Sequence, residues 1–355
     1  MPSPAFCTIF SKNYLAHVRT LAQSIRRFHP DATVYALLAD RVDGYFDPTR
    51  EPFHLIELDQ AVPENLRIPM TFYYTPFELC NALKPFLHKF LAGSTQEPQW
   101  LYLDSDIYVL NQLDPILDQL SRSSILLKPH TCTPVPFHLD DPRAPLETRF
   151  LRYGIYNGGF LGLRPTGDTH AFLDWWQARL TLYCRFQPGL FVDQLWLNLV
   201  PLFFNHVALC QHPGANLSYW NIHEGEFSAD SGHKVHFRGT PVLFYHFSGW
   251  DMDHPTQVSR ALPHRGSHDW FAPLGLEYRD RLLANGYNDV SRYPYAFSEF
   301  KTGEAIQPQH RQLWWDLTRS DAARPPNPFE SYGLFAKDKH RPTTWQRLVT
   351  KFRSS

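Results

Sequence analysis

The sequence predicts an α/β protein built on a parallel sheet, and three observations carry that expectation. The first is the stretch from Trp100 to Leu110, WLYLDSDIYVL, where Leu101-Tyr102-Leu103 runs into Asp104-Ser105-Asp106 and a second apolar run follows from Ile107. A strand buried on both faces reads as continuous apolar sequence, as the strands of parallel sheets do. The second is the opening of the chain. The β-type run Ala5 to Phe10 is followed by apolar residues at helical spacing from Tyr14 to Phe28, then by an apolar run from Thr33 to Leu38 that closes on Ala39-Asp40. Strand–helix–strand with an acid after the second strand is the usual layout of a nucleotide-binding α/β domain. The third is composition. Hydrophobic residues make up 43% and charged residues 19% of 355 positions, which is globular and long enough for one large domain or two smaller ones.

The remaining elements follow in order. His29-Pro30-Asp31 stops the first helix, and Leu55 to Leu58 reads as a third strand. Neither a GxGxxG nor a P-loop glycine pattern occurs, so a nucleotide would not be held by those devices. A helix from about Pro76 is kinked near Pro85, with Lys84 just before the proline. After the acid-bearing strand come a short helix (Leu113 to Leu120), a strand (Ser124 to Lys128) and a proline-rich loop (Pro129 to Pro145). In YGIYNGGFLGL, Asn157-Gly158-Gly159 sits between apolar residues. That fits either a hairpin turn or a close approach of backbone to a ligand. Phe172 to Tyr183 is an amphipathic helix, and Phe191 to Asn198 a further one that starts with Asp193-Gln194. An acid there either caps the helix or faces a polar pocket. Pro241 to Trp250 is a late strand carrying His246, and from Asp251 periodicity is weak except near Leu276 to Ala284. The division expected is a catalytic domain over 1–250 and an irregular extension over 251–355 that packs on it.

Two carboxylates where an apolar strand stops lie at the carboxyl edge of the sheet, the ligand-binding edge of open α/β folds. Spaced two apart with a small residue between, they can both reach one hard cation. The bland alternative is a strand end with two solvated acids. His246 ends a strand that can neighbour the acid pair, and histidine is a common transition-metal ligand, so Asp104, Asp106 and His246 form a candidate Mn²⁺ (or Mg²⁺) site. A satisfied core histidine is the ordinary reading of such a residue. A formal net charge of −1 gives no field to draw nucleic acid. Five cysteines without CxxC spacing argue against a disulfide scaffold and a cysteine zinc site. No signal peptide and no membrane-spanning run is expected, which leaves the cytoplasm as the default compartment. The tail from Lys337 is basic (Lys337, Lys339, Arg341, Arg347, Lys351, Arg353). It offers peripheral contact with the inner membrane face, or is simply a frayed, solvated end.

Taken in order, Asp104-Ser105-Asp106, Asn157-Gly158-Gly159, Asp193-Gln194 and His246-Phe247-Ser248-Gly249 resemble a bacterial metal-dependent glycosyltransferase of the glycogenin and lipopolysaccharide-galactosyltransferase class. The resemblance covers about residues 5 to 250. It implies a GT-A (Rossmann-like) fold, with a mixed, mainly parallel sheet flanked by helices. It also implies retaining transfer from a nucleotide diphosphate sugar, UDP-hexose by default, to a glycan, lipid-linked, protein or small-molecule acceptor. Carried over residue by residue, Asp104, Asp106 and His246 correspond to metal ligands. Asn157, Gly158, Gly159, Asp193 and Gln194 correspond to donor-sugar contacts. Lys84 corresponds to the basic residue that reaches the diphosphate or sugar, and Thr8, Phe10, Asp40, Ser105 and Gly249 to the nucleotide-binding edge. Met252 stands where the family often has a phosphate-gripping lysine. Leaving-group neutralisation is then expected from the metal, from Lys84, or from Arg260 or Arg265. The readings weighed against this one are a non-catalytic carbohydrate-binding protein, a haloacid-dehalogenase-type phosphatase and a nucleotidyltransferase. Tyr108 sits where the phosphatase family carries Thr or Val.

Overall fold

The opening unit forms as its periodicity dictates. β1 (Ala5–Phe10) is buried along its length, α1 (Leu15–Phe28) buries Leu15, Val18, Leu21 and Ile25, and β2 (Thr33–Leu38) runs parallel to β1. The computed structural model describes residues 4–135, 145–229, 234–261, 269–320 and 325–336. β3 (His54–Ile56) pairs parallel with β2. α2 (Glu64–Tyr73) leads to α3 (Pro76–Ala82), where Thr75 and Glu78 form a capping box. α4 (Lys84–Ser94) begins one residue after Leu83, because Pro85 has no amide hydrogen to continue the preceding ladder.

β4 (Trp100–Leu103) is fully buried and pairs parallel with β1. The long apolar run does not continue as one strand. It breaks at the acids, and β5 (Ile107–Val109) leaves the main sheet. β6 (Ile125–Pro129) and β7 (Tyr156–Leu163) follow, then α5 (Gly167–Tyr183), α6 (Gln194–Leu197), β8 (Val207–Leu209) and β9 (Phe244–His246). The main sheet has the order β8-β6-β7-β4-β1-β2-β3, and only β7 runs against the rest. It is therefore a mixed, mostly parallel seven-stranded sheet. Phe6 and Phe10 pack on one face with α1, and Cys7 and Ile9 on the other with α4 and α5, so helices flank both faces.

Three local expectations need correction. Asn157-Gly158-Gly159 is not a turn but lies inside β7. The helix expected from Phe191 is shortened, because Leu190–Phe191 pairs back on Phe186–Gln187 and Val192 takes a positive φ of 39° before α6 starts. The segment after residue 250 is more regular than its composition indicated. α7 (Phe271–Ala284) buries Phe271, Leu274 and Tyr278, and α8 (Pro308–Thr318) buries Trp314 and Trp315. The basic tail from Lys337 and most of the Pro129–Pro145 loop lie outside the described residues. Among the described residues no helix is long and apolar enough to cross a membrane, and all five cysteines are free.

Candidate functional site

The register of a two-stranded ribbon brings the acids and the histidine together. β5 and β9 pair antiparallel with His246 opposite Ile107, and the Phe247 amide donates to the Asp106 carbonyl at 2.9 Å. Asp104 ends β4, its amide donating to the Gly159 carbonyl of β7 at 2.9 Å. One ligand atom from each of Asp104, Asp106 and His246 lies within 4.8 Å of the others. His246 Nε2 is 3.1 Å from Asp106 Oδ1 and 4.0 Å from Asp104 Oδ2. Burial disfavours the imidazolium, but Asp106, with Asp104 behind it, raises the His246 pKa above its ordinary value. For Asp106 burial acts upward, yet the His246 charge and hydrogen bond bring its pKa below the usual carboxylate value.

Three features fit this trio to a divalent cation. Two carboxylates and one imidazole nitrogen form a mixed oxygen and nitrogen donor set. His246 Nδ1 donates to Asn216 Oδ1 at 3.2 Å, which turns Nε2 toward the carboxylates, where loss of its proton would free the lone pair for a cation, as outer partners of metal-bound histidines commonly arrange. Finally, a Cβ on Gly159 would stand 2.5 Å from His246 Cε1 and 2.7 Å from Asp104 Oδ2, so only glycine leaves the cradle open.

Behind the trio runs a buried amide chain. Asn216, at φ 57°, donates through Nδ2 to Asn157 Oδ1 at 3.1 Å, and the same oxygen accepts the Gly159 amide at 3.0 Å. Asn157 Nδ2 reaches His130 Nε2 at 3.2 Å, and His130 Nδ1 donates to the Ile155 carbonyl. Gln194 accepts the Gly158 amide at 2.9 Å and donates to the Tyr153 carbonyl at 2.7 Å. Asn157 and Gln194 are both buried, with their polar atoms engaged inside the protein.

Beside the acids is a buried ion pair. Lys84 Nζ donates to Asp193 Oδ2 at 2.9 Å, to the Gly158 carbonyl at 2.8 Å and to Asn81 Oδ1 at 2.9 Å. That accounts for all three of its hydrogens. Asp104 Oδ1 lies 3.8 Å from Nζ and accepts the Tyr102 hydroxyl at 2.7 Å. Burial would lower the Lys84 pKa, but Asp104 and Asp193 outweigh it and raise the value. Burial raises the Asp193 pKa, with Lys84 opposing. Asp193 precedes α6 but makes no capping hydrogen bond; its side chain is buried against Lys84 instead.

Of these residues Asn81, Tyr102, Asp104 and Asp106 line a cleft of about 480 Å³ whose walls also include Phe10, Tyr14, Phe77, Ser105, Tyr293 and Tyr295, whereas Lys84, Asn157, Asp193, Gln194 and His246 do not line it. Of the residues expected at the nucleotide-binding edge, Phe10 and Ser105 line this cleft, whereas Thr8, Asp40 and Gly249 do not. Asp40 instead accepts the amides of Arg41 and Ala296. Gly249 sits at φ 66° beside Ser259. Met252 packs on the apolar core, Arg260 is exposed with its charge felt at Tyr14, and Arg265 lies outside the described residues. Sequence reasoning missed Tyr102, Asn81, Asn216, His130, Tyr293 and Tyr295. Tyr102 could have been found, since residues two apart on a strand share a face and Tyr102 precedes Asp104 by two. Asn216 sits in a stretch without regular structure and gave no signal.

No protein-family model matches the sequence. The chain is 27% identical over 256 residues to the uncharacterised protein YfnF of Bacillus subtilis (strain 168), covering 69% of this chain and 81% of that one. In three dimensions it is similar to the glycosyltransferase GlyE of Streptococcus pneumoniae TIGR4, with a TM-score of 0.45, 16% identity and coverage of 85% and 67%. It is also similar to the galactosyltransferase LgtC solved with donor and acceptor sugar analogs, with a TM-score of 0.46, 17% identity, and coverage of 78% of this chain and 95% of that one.

Proposed function

We propose that the protein is a metal-dependent hexosyltransferase that moves a sugar from a nucleoside diphosphate sugar, UDP-hexose foremost, to an acceptor with retention of anomeric configuration. The convergence of Asp104 and Asp106, on the wall of an aromatic cleft, with the buried His246 behind them at the carboxyl edge of the sheet carries this reading. A divalent ion, Mn²⁺ before Mg²⁺, supplies neutralisation of the diphosphate charge as the glycosidic bond breaks. The protein's own groups do the positioning. Asp104 and Asp106 present the carboxylates, and Asn216 turns His246 so that Nε2 faces them. Gly158 and Gly159 let the backbone of β7 close up against Asp193, His246 and Asp104, where no Cβ would fit. Asp193, 1% exposed and bonded to Lys84, suits a group that orients the sugar. That favours same-face attack assisted by the leaving phosphate over an ester on Asp193. The reading includes a cytoplasmic location.

The test is a thermal-shift panel of nucleotide sugars with and without Mn²⁺. One donor is expected to stabilise the protein only when metal is present. Stabilisation by no nucleotide sugar under either condition would sink the proposal. In the same frame, Asp106→Asn is expected to lower turnover roughly a thousandfold while the unfolding midpoint changes little. Full activity in that variant would remove the acid from the site.

A further inference from the structure

The segment after α7 closes one side of the cleft. Tyr293 and Tyr295 line it, although the family resemblance ends near residue 250 and assigns no role beyond it. Their place is set by the sheet. Along its carboxyl edge β4 is followed by the acids, β1 ends at Phe10, and β2 is followed by Ala39-Asp40. Asp40 Oδ1 accepts the Ala296 amide at 2.9 Å and so anchors the segment two strands from the acids, about 10 Å away at ordinary strand spacing. Tyr293 packs on Tyr45 with ring centroids 4.9 Å apart, and Tyr295 on Phe297 at 5.4 Å. Arg311 adds a second fastener. Its guanidinium donates to the Phe297 carbonyl at 2.9 Å and to the Phe72 and Tyr74 carbonyls at 2.6 and 2.8 Å. The chain leaving Tyr74 continues into Phe77, which lines the same cleft. Both tyrosines are only partly buried, yet the Tyr295 hydroxyl is enclosed and has no hydrogen-bond partner among the described residues. Shut inside the protein among the charges of Arg311 and Asp40, that hydroxyl is closed off from the cleft, so what the two tyrosines offer its wall is their rings.

We propose that Tyr293 and Tyr295 receive the nucleobase of the donor. A tyrosine face takes the base by stacking. The diphosphate extends from there toward Asp104 and Asp106. This rests on reading the cleft as a nucleoside diphosphate sugar site. It makes the C-terminal segment, rather than the first strand–helix unit alone, a determinant of which nucleotide is accepted.

Calorimetric titration of the full chain in Mn²⁺ tests it, with UDP, CDP, GDP and ADP as ligands and inorganic pyrophosphate as the probe that has no base. Tyr293→Ala and Tyr295→Ala are expected to weaken binding of the preferred nucleoside diphosphate roughly 10- to 100-fold, the range of one lost stacking contact, and to leave pyrophosphate within about twofold. Tyr295→Phe, which keeps the ring and the packing, is expected to bind the nucleoside diphosphate within about twofold of the wild-type protein. If the wild-type protein binds a nucleoside diphosphate and all three variants bind it equally well, the inference is overturned while the proposed function stands. If the variants lose nucleotide and pyrophosphate together, the tyrosines only support the fold, and the inference is again overturned. If the wild-type protein binds no nucleoside diphosphate, the proposed function falls and takes the inference with it.

Discussion

At the scale of single residues, Gly159 and Lys84 show how little slack the site contains. Gly159→Ala would drive a methyl group against His246 and Asp104, both side chains that have to stay in place. It is expected to weaken Mn²⁺ binding at least tenfold and to cost about 1–3 kcal/mol of stability, read by calorimetry and urea denaturation. Unchanged metal affinity would mean that His246 can swing away without loss. Lys84 makes a different argument. Its partner Asp193 is buried, so Lys84→Met leaves an uncompensated carboxylate and is expected to cost about 3–5 kcal/mol. The double variant Lys84→Met, Asp193→Leu removes both charges and should recover much of that loss. Equal destabilisation of the single and double variants in denaturant titrations would show that the pair is not what the fold depends on.

At the scale of elements, the β5–β9 ribbon and the C-terminal fastening matter most. The sequence made β4, α1 and β2 legible because each is a long periodic or apolar run, and α1 falls within one residue of its expected bounds. The break at Asp104 was legible too, since paired acids interrupt an apolar run. The departure of β5 from the main sheet was not. It depends on pairing with β9 across more than a hundred residues, and no local pattern encodes a register that distant. The same reason hid Asn216, which acts only through His246. Arg311 looked like an ordinary charge in a weakly periodic stretch, yet it bonds the exposed carbonyls at the end of α2 and the chain at Phe297. Arg311→Ala is therefore expected to cost about 2–4 kcal/mol through unsatisfied carbonyls. It should also make the chain near Phe297 the first site of cleavage in limited proteolysis. Cleavage elsewhere first, with an unchanged unfolding midpoint, would place the fastening in other contacts.

At the scale of the whole molecule, buried histidines set the response to acid. Burial lowers the pKa of His88 and of His130 to about 4. Above the ordinary histidine value both are neutral, folded or unfolded. As pH falls from there the unfolded chain takes up protons that the fold refuses, so stability drops between about pH 6.5 and pH 4, by about 3 kcal/mol per histidine. His17, lowered to about 4 by the same burial, adds to this, while His246, held above its ordinary value by Asp106, pulls the other way. The urea midpoint is expected to fall steadily from pH 7 to pH 4.5, and His88→Gln should flatten the curve. A midpoint independent of pH over that range would contradict the assignment. The order of the chain has a consequence for synthesis. The metal trio is complete once residue 246 exists, but the cleft wall waits for Tyr295 and its clasp for Arg311. At about 5–20 residues per second, the 65 residues from 247 to 311 take about 3 to 13 s to make. During that interval a nascent chain has its acids in hand and an unfinished pocket. Whatever the cleft holds, its full wall exists only after residue 311 has been made and Arg311 has closed on Phe72, Tyr74 and Phe297.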